Sequence, residues 1–312
     1  MKKSKNIVLL LLIIFQVSCV NDPWDEIAEG DWNNERSVLD LKFENQVGQA
    51  EIERDDEKSG SITITINVDA VPDLSAIALS SLQLSYGATS TLKVGESLNF
   101  ENENQIASFT VTSPTGKSRE YSVKVTSFQE TILGTYEITD LVVYGGTGPE
   151  YGGGGVIPMM NKPWIWSATD GPGAELDNTL TFELEGITEE GNTYGKIVNN
   201  AGPDGLYANF IFVGDPETDV NNFYRKIPKG EGTWLRNYAT GQVIFTFADG
   251  KTSSGTMIGA GTEDLGNGKS KSTTSQALVF NLSGTDDWNK IYSDYDKFVK
   301  RPRKFWIDLQ KQ

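Results

Sequence analysis

Histidine is absent from all 312 residues, and cysteine occurs once, at position 19. Without imidazole there is no Ser-His-Asp or Cys-His relay, no His-ligated zinc and no ordinary near-neutral proton shuttle. A single thiol excludes disulfides within the chain and thiolate metal clusters, and leaves oxygen-ligated calcium open. Basic residues are scarce, 27 Lys and Arg against 43 Asp and Glu, for a net charge of -16. That argues against nucleic acid, whose binders need a basic footprint, and against adhesion to anionic lipid by charge alone. The apolar run 7–15 is nine residues, short of the roughly 20 that span a bilayer. What is present is glycine, 32 residues, among repeated Val, Ile, Thr, Tyr and Phe. This texture favours an all-β fold.

The lone cysteine has a telling context. Lys2, Lys3 and Lys5 precede the apolar run, and Gln16-Val17-Ser18-Cys19 follows it. A charged start, a short apolar stretch and a small residue before the cut describe a secretory signal. A cysteine directly after the cut resembles a bacterial lipoprotein signal, which implies cleavage after residue 18 and diacylation of Cys19. Gln16 departs from the Leu usual at that place, and an ordinary signal peptide with an incidental cysteine is the alternative. Loss of three lysines takes the charge from -16 to about -19. Residues 19–35 are polar and acidic and read as a tether. Acidic residues just after the cysteine also resemble the export tag of Bacteroidota surface lipoproteins, implying an outer-membrane, surface-exposed, lipid-anchored protein. A plain solvated linker is the other reading.

Residues 36–127 alternate as half-buried strands do. Leu39, Leu41 and Phe43 mark one strand, and Ile62, Ile64, Ile66 and Val68 another. Phe109 and Val111 pair with Tyr121, Val123 and Val125 across the turn Ser113-Pro114-Thr115-Gly116, where Pro presets φ and Gly tolerates φ > 0. Short strands without helical periodicity imply an Ig-like β-sandwich. With its phrases Leu84-Ser85-Tyr86-Gly87-Ala88 and Arg119-Glu120-Tyr121-Ser122-Val123, the segment resembles the Ig-like N-terminal module of Bacteroidota lipoproteins from glycan-uptake loci of Sus-like type. The resemblance implies a spacer and carries no chemical motif.

After a short connection, residues 133–312 become richer in Gly, Trp and Tyr. Strands are expected near 135–144, 179–185, 207–213, 241–248, 255–258, 276–282 and 304–310. Trp288, Ile291, Tyr292, Tyr295, Phe298 and Val299 recur at helical spacing, with Asp286 or Asp287 as N-cap and Arg301-Pro302 as the stop. The expectation is a jelly-roll-like β-sandwich with one short C-terminal helix.

Three constellations invite a functional reading. Sugar rings present a face of axial C–H groups that packs on indole and phenol rings, so loop aromatics are glycan candidates. Trp164 and Trp166 lie two apart and on a strand would share a face. Trp234 brings Arg236, Asn237 and Tyr238 with it. Core packing is the alternative for every aromatic, and Trp288 and Trp306 are assigned to the core. Tyr144 and Tyr151 flank the run 145–155, seven of whose eleven residues are glycine. That run lacks the Gly-Lys-Ser/Thr ending of a phosphate loop and reads as a mobile surface loop or a glycan-contacting one. Asp215, Glu217, Asp219 and Asn221 place oxygens at alternate positions that could converge on calcium. The EF-hand glycine and glutamate are missing, so an acidic loop without metal competes. No acid/base carboxylate pair has a distinctive context.

The second domain looks like the glycan-binding end of such surface lipoproteins. The implied function is non-catalytic polysaccharide binding beside an outer-membrane glycan importer. The alternatives are a structural or adhesive lipoprotein with a protein partner, and a glycoside hydrolase or lyase domain on an Ig-like spacer.

Overall fold

The computed structural model describes residues 33–67, 71 and 73–312; Cys19 and the start of the tether lie outside them. The chain divides into two compact units between Phe128 and Gln129. Among the described residues no helix is long and apolar enough to cross a membrane.

The first unit holds two sheets. One orders β1 (Val38–Phe43), β4 (Ile77–Leu84) and β6 (Ser97–Leu98). The other orders β2 (Glu51–Glu53), β3 (Ser59–Asn67), β8 (Ser118–Phe128), β7 (Ile106–Thr112) and β5 (Thr89–Ser90). β3 and β8 run parallel. In β3, Ile62, Ile64 and Ile66 point into the core while Ser61, Thr63 and Thr65 face outward. Both sheets contribute to one core containing Leu41, Phe43, Phe100, Phe109, Tyr121 and Val123. The turn at Ser113 closes as its sequence predicts, with Gly116 at φ 82° and its N–H on the Ser113 carbonyl. Leu39 does not join the core. The register slips between Val38 and Asp40, and Leu39 is left exposed.

The second unit is one closed sheet and not the two-sheet jelly roll expected. Its staves, in order, are β9 (Gly134–Gly145), β11 (Thr179–Ile187), β12 (Thr193–Asn200), β15 (Gly230–Asn237), β16 (Gln242–Thr246), β17 (Thr252–Ile258), β20 (Gln276–Asn281) and β21 (Pro302–Lys311). All pairings are antiparallel, and β21 returns to β9 to close an eight-stranded barrel. Chain neighbours are sheet neighbours throughout, an up-and-down order that leaves no free edge around the ring. A short strand, β10 (Gly155–Pro158), pairs with the far half of β9. Two further pairs lie outside the ring, β13 (Ile211–Phe212) with β14 (Thr218–Asp219) and β18 (Gly261–Gly266) with β19 (Lys269–Thr273).

The barrel is filled. Phe182, Trp234, Phe245, Phe280 and Phe305 belong to one continuous core with Tyr136, Leu180 and Ile197. An eight-stranded barrel is just wide enough for side chains to fill it, so ligands must be met outside. Gly195 sits across from Trp234 in the β12–β15 ladder. A Cβ there would stand 1.8 Å from the Glu183 carbonyl oxygen. The glycine lets the strands close around the indole, whose Nε1 donates to the carbonyls of Glu183 (3.0 Å) and Lys196 (3.1 Å).

The two ends differ. Long connections, residues 146–178, 201–229 and 282–301, all leave from the end where β9 and β20 finish and β21 begins. They form a cap. Trp166 anchors it, packed edge-on against Phe210, Phe212, Tyr224 and Phe298. Truncating such a core aromatic costs about 3–5 kcal/mol. The cap contains no long helix. Where one helix was expected, residues 288–293 form turns and bends, and only Asp294–Lys300 winds, its last five residues as a π-helix. Tyr292 at φ 75° breaks the expected helix.

Candidate functional site

The structure separates the tryptophans that sequence grouped together. Trp164 and Trp166 lie at a 3-10 turn, Pro163–Ile165, and not on a strand. They point oppositely: Trp164 is 66% exposed and Trp166 is 4%. Trp234 is 1% exposed, inside the barrel. Tyr144 is buried on the outer side of β9, in a small cluster with Trp306 and Val279. Tyr151 is exposed, and so is Trp288, which sequence had assigned to the core.

Arg236 and Tyr238 also leave the list of free ligand contacts. They close the uncapped end of the barrel around Glu130, whose side chain is fully buried. Glu130 accepts from Arg236 Nη1, Tyr238 Oη and Thr193 Oγ1, each at 2.5 Å, and from the Ile132 N–H at 3.1 Å. Burial pushes the Glu130 carboxyl up. The Thr193 and Tyr238 hydroxyls, the Ile132 amide and the Arg236 charge outweigh it, so its net shift is downward. The Tyr238 hydroxyl is held well above its ordinary value, first by burial and then by its bond to Glu130. Asn237 serves the next turn, accepting from Thr240 N–H.

In the acidic loop, the side chains of Asp219 and Asn221 are engaged in hydrogen bonds within the cap. Asp219 Oδ1 accepts from the Asn221 backbone and side-chain amides, both at 2.8 Å. Asn221 Oδ1 in turn accepts from Phe210 N–H, and its Nδ2 donates to Asn209. These oxygens tie the cap together. Among the described residues no three acidic side chains come close enough to hold a cation.

What the structure does assemble is an exposed aromatic face on the cap. Tyr151 and Trp288 meet edge to face at 6.0 Å between centroids. Tyr292 Oη donates to the Tyr151 carbonyl at 3.1 Å. These three rings are 66%, 56% and 60% exposed. Gly148 lies beneath them at φ 58°, and a Cβ there would stand 3.0 Å from the Trp288 ring and 3.2 Å from Tyr151. The positive φ of Tyr292 is a conformation that bulky side chains rarely adopt, and such residues concentrate at binding and catalytic sites. Next along the face, Lys162 pairs with Asp294 at 3.1 Å and its ammonium lies 5.1 Å from the centre of the Trp164 ring. Lys297 Nζ donates to the Tyr292 carbonyl at 2.6 Å.

A buried relay fixes this face. Asp296 is fully buried and accepts from Thr147 N–H at 2.6 Å and Thr147 Oγ1 at 2.7 Å. The same Thr147 oxygen accepts from Asp287 N–H at 2.7 Å, next to Trp288. The glycine run is tied to the cap through Thr147. At Gly153 a Cβ would stand 1.8 Å from the Thr147 carbonyl oxygen, so the close approach demands glycine. A cleft of about 400 Å3 lies beside the Trp164 turn, lined in part by Met160, Pro163, Thr169 and Asp204.

Neither a family model nor a curated protein matches the chain. One solved structure that is similar comes from Bacteroides fragilis and is provisionally described as a secreted protein. It is 13% identical with a TM-score of 0.24, and the match covers 31% of this chain and 98% of that one. Another, from Bacteroides thetaiotaomicron, is provisionally described as a glycoside hydrolase. It is 12% identical with a TM-score of 0.24, covering 90% of this chain and 84% of that one. Likeness at this level assigns no function here.

Proposed function

We propose that the C-terminal barrel binds polysaccharide without cleaving it, through the aromatic face of Tyr151, Trp288 and Tyr292 with Trp164 beside it. The observation that carries this is the exposure of three rings held in fixed positions by a buried relay. Exposed large aromatics otherwise have no structural reason to be pinned, and contiguous exposed apolar surface marks interaction sites. Flat rings with polar neighbours suit the C–H faces and hydroxyls of sugars. The first unit is an Ig-like spacer in this reading, and Cys19 carries the lipid that displays the protein on the outer membrane. Weak single sites suffice when many are tethered on one surface, because avidity multiplies them.

Affinity electrophoresis of the chain lacking residues 1–19, across a panel of neutral and acidic polysaccharides, tests the binding. At least one glycan retards the wild type, Trp288→Ala abolishes that retardation, and no reducing ends are released. Retardation unchanged in Trp288→Ala refutes the site; steady release of reducing sugar refutes the absence of catalysis. The anchor has its own test. Cys19→Ser leaves the protein without radiolabelled palmitate and out of the membrane fraction, and persistent labelling contradicts the assignment.

A further inference from the structure

Next to this face a chain of net charge -16 gathers several lysines among its carboxylates. Lys162, Lys290, Lys297 and Lys300 gather around Asp294 and Tyr295. The Lys290 and Lys300 ammonium groups lie 6.0 and 5.7 Å from the Tyr295 ring centre, and both residues are exposed. Neither makes an ion pair among the described residues. The nearby carboxylates are mostly committed elsewhere. Asp286 pairs with Arg301 at 2.9 Å and Arg303 at 3.3 Å, and Asp296 is buried on Thr147. Asp287 Oδ1 accepts from Asn289 N–H, and Asp294 faces Lys162. Glu150, on the glycine run, is the one exposed acid adjoining Tyr151. The Lys297 ammonium is pushed below its ordinary value by burial and by Lys162, against the pull of Asp294.

Two exposed lysines that make no ion pair among the described residues, next to the proposed sugar-stacking rings on a protein of net charge -16, suit an anionic ligand. We infer that the glycan bound by the aromatic face is acidic, carrying carboxylate or sulfate groups that Lys290 and Lys300 neutralise. This rests on the glycan-binding reading above and names its ligand class. Lysine suits the role, because a point charge on a flexible stem accepts anionic groups at varied spacing along a polymer. Distant acidic residues do not cancel the attraction, since charges more than about 10 Å away are screened at 0.1 M salt while contacts persist.

The test uses matched probes. Polygalacturonate is compared with its carboxyl-reduced form, and dextran sulfate with unmodified dextran, by affinity electrophoresis of wild type and of Lys290→Gln/Lys300→Gln. Retention by an acidic member at least fivefold stronger than by its neutral partner supports the inference. So does at least fivefold loss of that preference in the lysine variant at unchanged melting temperature. Preference for polygalacturonate over its reduced form identifies carboxylate, and preference for dextran sulfate over dextran identifies sulfate. Equal retention of acidic and neutral partners overturns the acidic class while leaving glycan binding intact. Failure of every glycan overturns both. Binding to phosphatidylglycerol vesicles without any glycan preference also overturns it, in favour of a lipid surface.

Discussion

Asp296→Ala lowers the stability of the barrel unit by about 3 kcal/mol and abolishes glycan retention together with it. The carboxylate is fully buried and takes both the amide and the hydroxyl of Thr147. Hydrogen bonds to a charged group contribute about 1.5–3 kcal/mol each, and donors left buried and unpaired add to the cost of removal. For a unit of this size the loss corresponds to a fall in Tm of about 6–12 °C. Binding fails for a structural reason: Thr147 holds the Asp287 amide, and Trp288 follows Asp287 directly in the chain. Asp296→Asn keeps an acceptor for the Thr147 hydroxyl but sets an amide against the Thr147 N–H, so its loss is intermediate. Differential scanning calorimetry and affinity gels on the same preparations check both effects. A Tm within 2 °C of wild type, with retention intact, removes the relay from the account.

Glu130→Ala acts at the opposite end and costs about 3–5 kcal/mol, the range for breaking a buried ion pair from one side. Arg236 is left without its carboxylate, and the Thr193 and Tyr238 hydroxyls lose their acceptor. The pH dependence follows from the sign of the Glu130 shift. Its pKa in the folded chain lies below the ordinary 4.5. Its ionic contribution is therefore fully present above about pH 5 and is lost as pH falls through the folded value. Urea unfolding of wild type and variant from pH 7 to pH 3 gives a stability gap that is constant above pH 5 and narrows below 4.5. A gap that widens on acidification contradicts the sign. Glycan retention at pH 7 survives in Glu130→Ala below its melting temperature, because no residue of the aromatic face touches Glu130.

The same residues show where sequence reasoning succeeds and where it stops. Period-2 patterns locate β9, β11, β16, β20 and β21, because each buries alternate apolar residues on the filled interior. β12 and β15 were unreadable for the converse reason. Their positions include Gly195 and Gly232, which let the Glu183 backbone and Pro228 approach closely, so the strands look like turns. Closure of β21 onto β9 joins residues at the two ends of the domain, and no local period reports it. That is why a two-sheet sandwich was expected in place of a barrel. The expectation for residues 207–213 fails similarly. Ala208, Phe210 and Phe212 alternate as a strand would, yet they feed the cap core and only Ile211–Phe212 pairs.

For the site, the sequence grouped aromatics that the structure separates into exposed and buried sets. Tyr151 and Trp164 stand exposed, whereas Trp166, Trp234 and Tyr144 are core and Arg236 and Tyr238 belong to Glu130. Trp288 and Tyr292 were hidden by helical spacing that the backbone does not follow. One signal was available. Residues 285–290, Thr-Asp-Asp-Trp-Asn-Lys, surround the tryptophan with polar groups that a buried helix face does not tolerate. The sequence alone could not show that Thr147 in a glycine run, Asp287 before a tryptophan and Asp296 in a winding turn would meet in one relay.

Glycan binding by the pinned, exposed rings of the barrel cap, as proposed, requires Tyr151 and Trp288. Isothermal titration of wild type and Tyr151→Ala/Trp288→Ala with the polysaccharide most strongly retained on the panel tests it most directly. The account predicts a Kd at least tenfold weaker in the double variant, at a Tm within about 2 °C of wild type because both rings are already exposed to water. An unchanged Kd at unchanged Tm contradicts it.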